Sequence, residues 1–267
     1  MVQDRITQCF ERLKQQREKA LVTYIMASDP DMATSEKLLC ALPDAGADIV
    51  ELGMPFSEPM ADGPTIQRAA ERSLKAGGSV RNTLKLAQAF RNQHPEVPLV
   101  LMGYYNPIYH YGVQAFVKDA LAAGVDGVII VDLPPEEEEE FTSVAQPAGL
   151  ALVRLTTPTT DDNRAPRVLR HASGFVYYIS ITGITGTASA VADDISPAID
   201  GLRKHTKLPI VVGFGIKTPE QASALSGAVD GIVVGSAIVQ QIEQHGDNPE
   251  TLLRGVTTLV GSLKAAI

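Results

Sequence analysis

The sequence is 267 residues long with 45% hydrophobic residues, enough to bury a large core and too apolar for a disordered chain. Its formal net charge of −8, from 23 basic and 31 acidic residues, excludes a nucleic-acid backbone binder, which needs clustered Lys and Arg. No apolar run is long enough to span a membrane and no charged-then-apolar leader opens the chain, so a cytosolic protein is expected, with Cys9 and Cys40 as reduced core thiols.

In chain order, a polar helix over residues 4–15 comes first and is expected to cover the bottom or side of the folded domain. Strands are predicted near residues 20–27, 48–53, 97–103, 126–132, 150–156, 175–181, 208–214 and 230–235, with helix-like segments between them. Runs such as Gly127-Val128-Ile129-Ile130-Val131 show no polar alternation, which marks parallel strands covered on both faces. Three strands open with related phrases, Ala45-Gly46-Ala47-Asp48, Ala123-Gly124-Val125-Asp126 and Gly227-Ala228-Val229-Asp230, where the glycine suits the end of a helix. Eight βα units of about 30 residues each fill residues 1–267 as one domain. The expected fold is therefore a single (β/α)8 TIM barrel with an extra N-terminal helix. An open doubly wound sheet competes, but eight strands without a dinucleotide fingerprint favour the barrel. The acidic run Glu136 to Glu140 reads as the solvated first turn of a helix, where the dipole favours anions.

Functional groups in such a barrel lie on the loops after the strands. Strand seven runs into Gly213-Phe214-Gly215-Ile216 and strand eight into Gly235-Ser236-Ala237-Ile238. Glycines there let backbone N–H groups approach an anion, and a helix N-terminus favours it, so a phosphate site is expected. Plain turn chemistry, with Ser236 as an N-cap, is the competing role.

In strand two, Glu51 shares a face with Ile49 and Gly53 and is expected to be desolvated, which raises a carboxyl pKa towards neutrality. Two roles fit it: catalytic acid–base group, or structural partner of a base such as Arg154. Asp62, in the loop from Met54 to Pro64, is either a second catalytic acid or the cap of the next helix. Asp132 ends strand four and is a third candidate, with a turn role favoured. The five histidines show no metal-ligand spacing and no predicted strand contains a lysine, which disfavours a metal site and Schiff-base chemistry. Carboxylate acid–base chemistry on a phosphate ester remains.

Glu51-Leu52-Gly53-Met54-Pro55-Phe56-Ser57 and Met60-Ala61-Asp62-Gly63-Pro64-Thr65-Ile66-Gln67 resemble the signature of the tryptophan synthase alpha subunit family. The likeness continues in order through Gly103-Tyr104-Tyr105-Asn106-Pro107, Thr182-Gly183-Ile184-Thr185-Gly186 and both glycine turns. It implies cleavage of indole-3-glycerol phosphate to indole and glyceraldehyde 3-phosphate. It also implies an α2β2 complex in which a beta subunit carries pyridoxal phosphate, with no cofactor in this chain. By the same resemblance Glu51 is the principal acid–base group and Asp62 holds the indole N–H. Gly186, Gly215, Gly235 and Ser236 hold the phosphate; Tyr104 and Tyr177 line the pocket, Thr185 lies on a mobile loop and Phe214 lies beside the indole. Two positions depart from the pattern: Glu58 stands where Asp is usual, and Ser28 where Gly is usual.

Two other functions compete: an interaction subunit that mainly activates a partner enzyme, and another phosphate-binding barrel of the same pathway. Residues 183–190, small or β-branched, read as a lid. Apolar loop residues at Pro55-Phe56, Pro59-Met60, Pro107-Ile108-Tyr109 and Leu133-Pro134-Pro135 are expected to form a partner interface or to pack over the site.

Overall fold

Strands buried on both faces need helices outside them, and in the computed structural model the chain alternates accordingly. The structure describes residues 4–180, 188–213 and 215–267. The first half runs α1 (Arg5–Gln16), β1 (Ala20–Met26), α2 (Met32–Asp44), β2 (Ile49–Gly53), α3 (Pro64–Lys75), α4 (Val80–Gln93), β3 (Leu99–Gly103), α5 (Tyr105–Tyr111), α6 (Val113–Ala122) and β4 (Gly127–Ile130). The second runs α7 (Glu139–Ala148), β5 (Ala151–Leu152), β6 (Arg154–Thr156), α8 (Ala165–Val168), β7 (Val176–Ile179), α9 (Ala188–Arg203), β8 (Ile210–Gly213), α10 (Pro219–Ser226), β9 (Gly231–Val234), α11 (Ser236–His245) and α12 (Pro249–Lys264). No described helix is long and apolar enough to cross a membrane.

All strand pairs are parallel, in the order β5-β4-β3-β2-β1-β9-β8-β7-β6. This is the expected eight-stranded barrel with one difference. Strand five is interrupted at Val153: its first half pairs with β4 and its second half with β7, so the two edges of the sheet meet within one segment. Alternate residues point inward. Val22, Ile49, Val100, Ile129, Val153, Val211 and Val233 fill the lower interior, while Leu21, Val50, Leu52, Leu101 and Val128 pack under the outer helices.

The N-terminal helix closes the bottom of this interior. Asp4 accepts from the Thr7 N–H as its N-cap, and Ile6, Cys9, Phe10 and Leu13 are buried against the lower layer, with the Phe10 ring 5.9 Å from that of Phe175. Each large apolar side chain so buried contributes about 1.5–3 kcal/mol.

The three repeated phrases end in aspartates with one shared task. Asp48 accepts from the Leu21 N–H at 2.9 Å, Asp126 from Leu99 at 2.8 Å and Asp230 from Ile210 at 2.9 Å, each stapling the start of a neighbouring strand. All three are also ion-paired: Asp48 with Lys264 and Arg12, Asp126 with Arg5 and Arg91, Asp230 with Arg203. Gly46 and Gly124 take the positive φ that ends their helices, whereas Gly227 stays right-handed at φ −65°.

The acidic run is exposed and opens α7 as expected, except at one position. Glu138 is buried, not solvated, and forms an ion pair with Arg154, while His171 Nδ1 lies 2.9 Å from its Oε1. This pairing uses Arg154, which also donates to the Leu133 carbonyl at 2.9 Å, so Arg154 is not the partner of Glu51.

Candidate active site

The pleat of β2 carries Glu51 into the barrel, in register with Tyr24 of β1 and Val100 of β3. It is 1% exposed, and neither carboxyl oxygen has a hydrogen-bond partner among the described residues. Burial in this dry interior pushes its pKa up to about 8, so the group is mostly protonated at neutral pH. A buried polar group left unmet calls for an explanation, and a ligand yet to bind is one.

The space above Glu51 is set by two glycines. A Cβ at Gly53 would stand 2.2 Å from the Tyr24 hydroxyl, and one at Gly213 would stand 2.2 Å from the Tyr177 hydroxyl. Any side chain at either position would collide with a phenol, so the absence of Cβ lets both hydroxyls reach the mouth. Burial drives both phenols well above their usual pKa, with the Glu51 charge a smaller contribution at each.

Asp62 follows in the loop after β2. It does not cap α3: the N-cap is Gly63, no side chain caps that helix, and Pro64 takes its first position. Its carbonyl accepts from Gln67 Nε2 at 2.8 Å and its N–H donates to the Pro59 carbonyl at 3.0 Å, which leaves the carboxylate to face Tyr104. The Tyr104 hydroxyl donates to Asp62 and accepts from the Ala61 N–H at 3.0 Å, and the Tyr104 ring rests 5.4 Å from Phe56. Burial raises the Asp62 pKa to about 6, with the Tyr104 hydrogen bond opposing the rise. Asp62 is half-buried. Asp132 takes the turn role, accepting from the Tyr105 N–H at 2.7 Å.

The pairing of β8 with β9 brings the two glycine turns side by side. Gly215 is exposed with φ +66°, a conformation that favours glycine. Gly235 is the N-cap of α11 and Ser236 its first residue, so Ser236 is not the N-cap, and no side chain caps this end. The N–H groups of Ser236 and Ala237 have no acceptor within the helix. An open, positive helix end beside a glycine turn can hold a phosphate. Thr185, Gly186 and Phe214 lie outside the described residues, as does 183–187 of the expected lid; residues 188–190 open α9.

Of the apolar loop residues, Met60 (77%) and Tyr109 (61%) are exposed, whereas Pro55, Ile108 and Leu133 are buried. Only part of that set can face a partner; the rest packs inward. Glu58 is exposed. Ser28, at the other departure, has φ +61°, which explains why glycine suits the position, and its N–H donates to Ser35 Oγ at 3.0 Å.

Sequence reasoning missed Tyr24. The one available signal was its inward position on a strand beside Glu51, and that needs the register of two strands to read.

Residues 10–267 match the family described as Tryptophan synthase alpha chain. The chain is similar to tryptophan synthase subunit alpha from Legionella pneumophila str. Paris, at 39% identity and TM-score 0.92 over 99% of this chain and 98% of that one. It is also similar to a structure from Aquifex aeolicus VF5, at 38% identity and TM-score 0.89 over 98% of each chain. A third similar structure is that of tryptophan synthase from M. tuberculosis in an aminoacrylate-bound form, at 30% identity and TM-score 0.87 over 98% of this chain and 99% of that one. Together with a buried carboxyl at the mouth of a parallel barrel, these likenesses place the chain in the tryptophan synthase alpha chain family, lyases that cleave indole-3-glycerol phosphate.

Proposed function

We propose that Glu51 and Asp62 carry the retro-aldol cleavage in this chain, with the substrate phosphate held by Gly186, Gly215, Gly235 and Ser236. The observation behind the reading is that Glu51 is buried and protonated at neutral pH with no partner of its own. Such a group can give a proton and take one back.

The indole ring leaves as a carbanion equivalent unless it is protonated first. Glu51 delivers its proton to ring carbon C3, and positive charge builds on N1. Asp62, ionised, accepts the N1–H and stabilises that charge. The Glu51 carboxylate then removes the proton of the glycerol hydroxyl. The carbon–carbon bond breaks as that oxygen becomes the aldehyde, and the bonding pair restores the aromatic ring. One proton enters at C3 and one leaves the hydroxyl, so Glu51 ends as it began. Tyr104 orients Asp62 through its hydrogen bond, and Tyr177, Thr185 and Phe214 complete the pocket.

The family has no cofactor of its own. In this reading residues 1–267 act as one cytosolic domain, and the product indole passes to a beta subunit in an α2β2 complex. Pyridoxal phosphate in that partner supplies the chemistry of the last step. The exposed Met60 and Tyr109 are apolar contacts suited to such a partner. Indole release by the purified chain, measured with and without a beta subunit, tests the reading. Slow release alone and faster release with the partner are expected; no release under either condition would refute it.

A further inference from the structure

The Tyr24 side chain links the two halves of the site. A Cβ placed on Gly235, in the phosphate turn, would stand 3.2 Å from Tyr24 Cβ and 3.4 Å from its ring. The hydroxyl at the other end occupies the space above Gly53, on the strand that carries Glu51. Among the described residues its hydrogen-bonding neighbour is Met26 Sδ at 3.9 Å, a weak acceptor. Tyr24 is 7% exposed, so water meets little of it.

Four titratable groups act on this hydroxyl through their charge: Asp62 from the loop after β2, Glu51 from β2, Asp29 from the turn after β1 and Tyr104 after β3. Asp29 is already held by Arg72 through two contacts of 2.8 Å, and Asp62 receives the Tyr104 hydroxyl. Glu51, whose charge also acts on Tyr177, is the acceptor without a donor among the described residues. A donor met only by a weak sulfur acceptor, in register beside an unmet acceptor, both buried, is an arrangement that proteins rarely leave idle.

We propose that Tyr24 is a positioning residue for proton transfer, its hydroxyl donating to the Glu51 carboxylate after Glu51 has given its proton away. The proposal rests on the acid–base role of Glu51 above. Tyr24 keeps its own proton throughout. It stabilises the ionised form of Glu51 between the two transfers and holds that carboxylate towards the substrate, while its ring braces the phosphate turn.

The test compares Tyr24→Phe, Glu51→Gln and the unaltered chain in indole release from indole-3-glycerol phosphate across pH, with glycerol phosphate binding measured alongside. Phe keeps the ring, so folding and glycerol phosphate affinity stay as they are. Losing a hydrogen bond to a charged group lowers kcat about 10-fold with KM unchanged. The alkaline limb of the profile moves to higher pH, because the ionised form of Glu51 has lost its donor. A limb that stays in place in Tyr24→Phe while Glu51→Gln is inactive overturns the role of Tyr24 and leaves that of Glu51 standing. A Glu51→Gln variant that turns over normally overturns both.

Discussion

Two sets of carboxyls, one at each end of the barrel, are held in opposite ways. At the bottom, Asp48, Asp126 and Asp230 each accept a backbone N–H and each meets at least one Lys or Arg within 3.2 Å. At the mouth, Glu51 meets no donor among the described residues and Asp62 only the Tyr104 hydroxyl. Burial, complete or partial, costs each of these groups free energy, and the lower set recovers it through ion pairs with Lys and Arg, which Glu51 and Asp62 lack among the described residues. The difference teaches what each end is for. Donors supplied at the bottom lock strand register, and donors withheld at the top leave a carboxyl free to exchange protons with a ligand.

Replacing Glu51 breaks the comparison most severely. Glu51→Gln removes the proton while keeping size, and indole release is expected to fall by about 10²- to 10⁴-fold. The same variant has a stability signature. Because the folded pKa of about 8 lies above the unfolded value, Glu51 lowers stability as pH rises from about 4.5 through 8. The glutamine variant lacks this loss, so its melting temperature should exceed that of the unaltered chain more at pH 8 than at pH 5. Equal differences at both would show that Glu51 is not held protonated by the fold.

Asp126→Ala tests the other end. It strands Arg5, Arg91 and the Leu99 N–H together, and losing one member of a buried pair costs about 3–5 kcal/mol. Denaturant titration should show that loss, while the folded fraction cleaves substrate at its usual rate. A variant that is stable but inactive would reverse the assignment of the two ends.

Much of this division was legible in the sequence, and the misses have physical causes. The eight apolar runs marked their strands because burial on both faces needs no partner to be read. The break at Val153 depends on which neighbour each half of strand five meets. Glu51 declared itself by sitting charged among apolar neighbours on an inward face. Glu138 looked like one of five solvated acids, since only the fold brings Arg154 and His171 to it. The two roles of Asp62 were separated by backbone geometry, with Gly63 taking the cap position, and Tyr24 waited on register.

Two smaller effects sharpen the picture at the mouth. Asp62→Asn keeps the loop but removes the charge opposite the indole nitrogen. Activity should drop about 10²-fold with the melting temperature unchanged, since Asp62 caps no helix. A loss of stability in step with activity would restore a structural role. Gly235→Asp puts a carboxylate into the phosphate turn, against Tyr24. Glycerol phosphate binding should weaken about 10-fold, or roughly 1.4 kcal/mol, and unchanged binding would move the phosphate elsewhere.

The most direct test of the contrast between the ends is the pH dependence of kcat/KM for indole release by the unaltered chain, which reports groups of the free enzyme. At the mouth, Asp62 and Glu51 have no Lys or Arg partner among the described residues, and their pKa values are raised to about 6 and about 8. A bell is predicted, rising near pH 6 as Asp62 ionises and falling near pH 8 as Glu51 loses its proton. A rate that stays level from pH 7 to about 10, the range in which a Glu51 with a raised pKa must ionise, would contradict it.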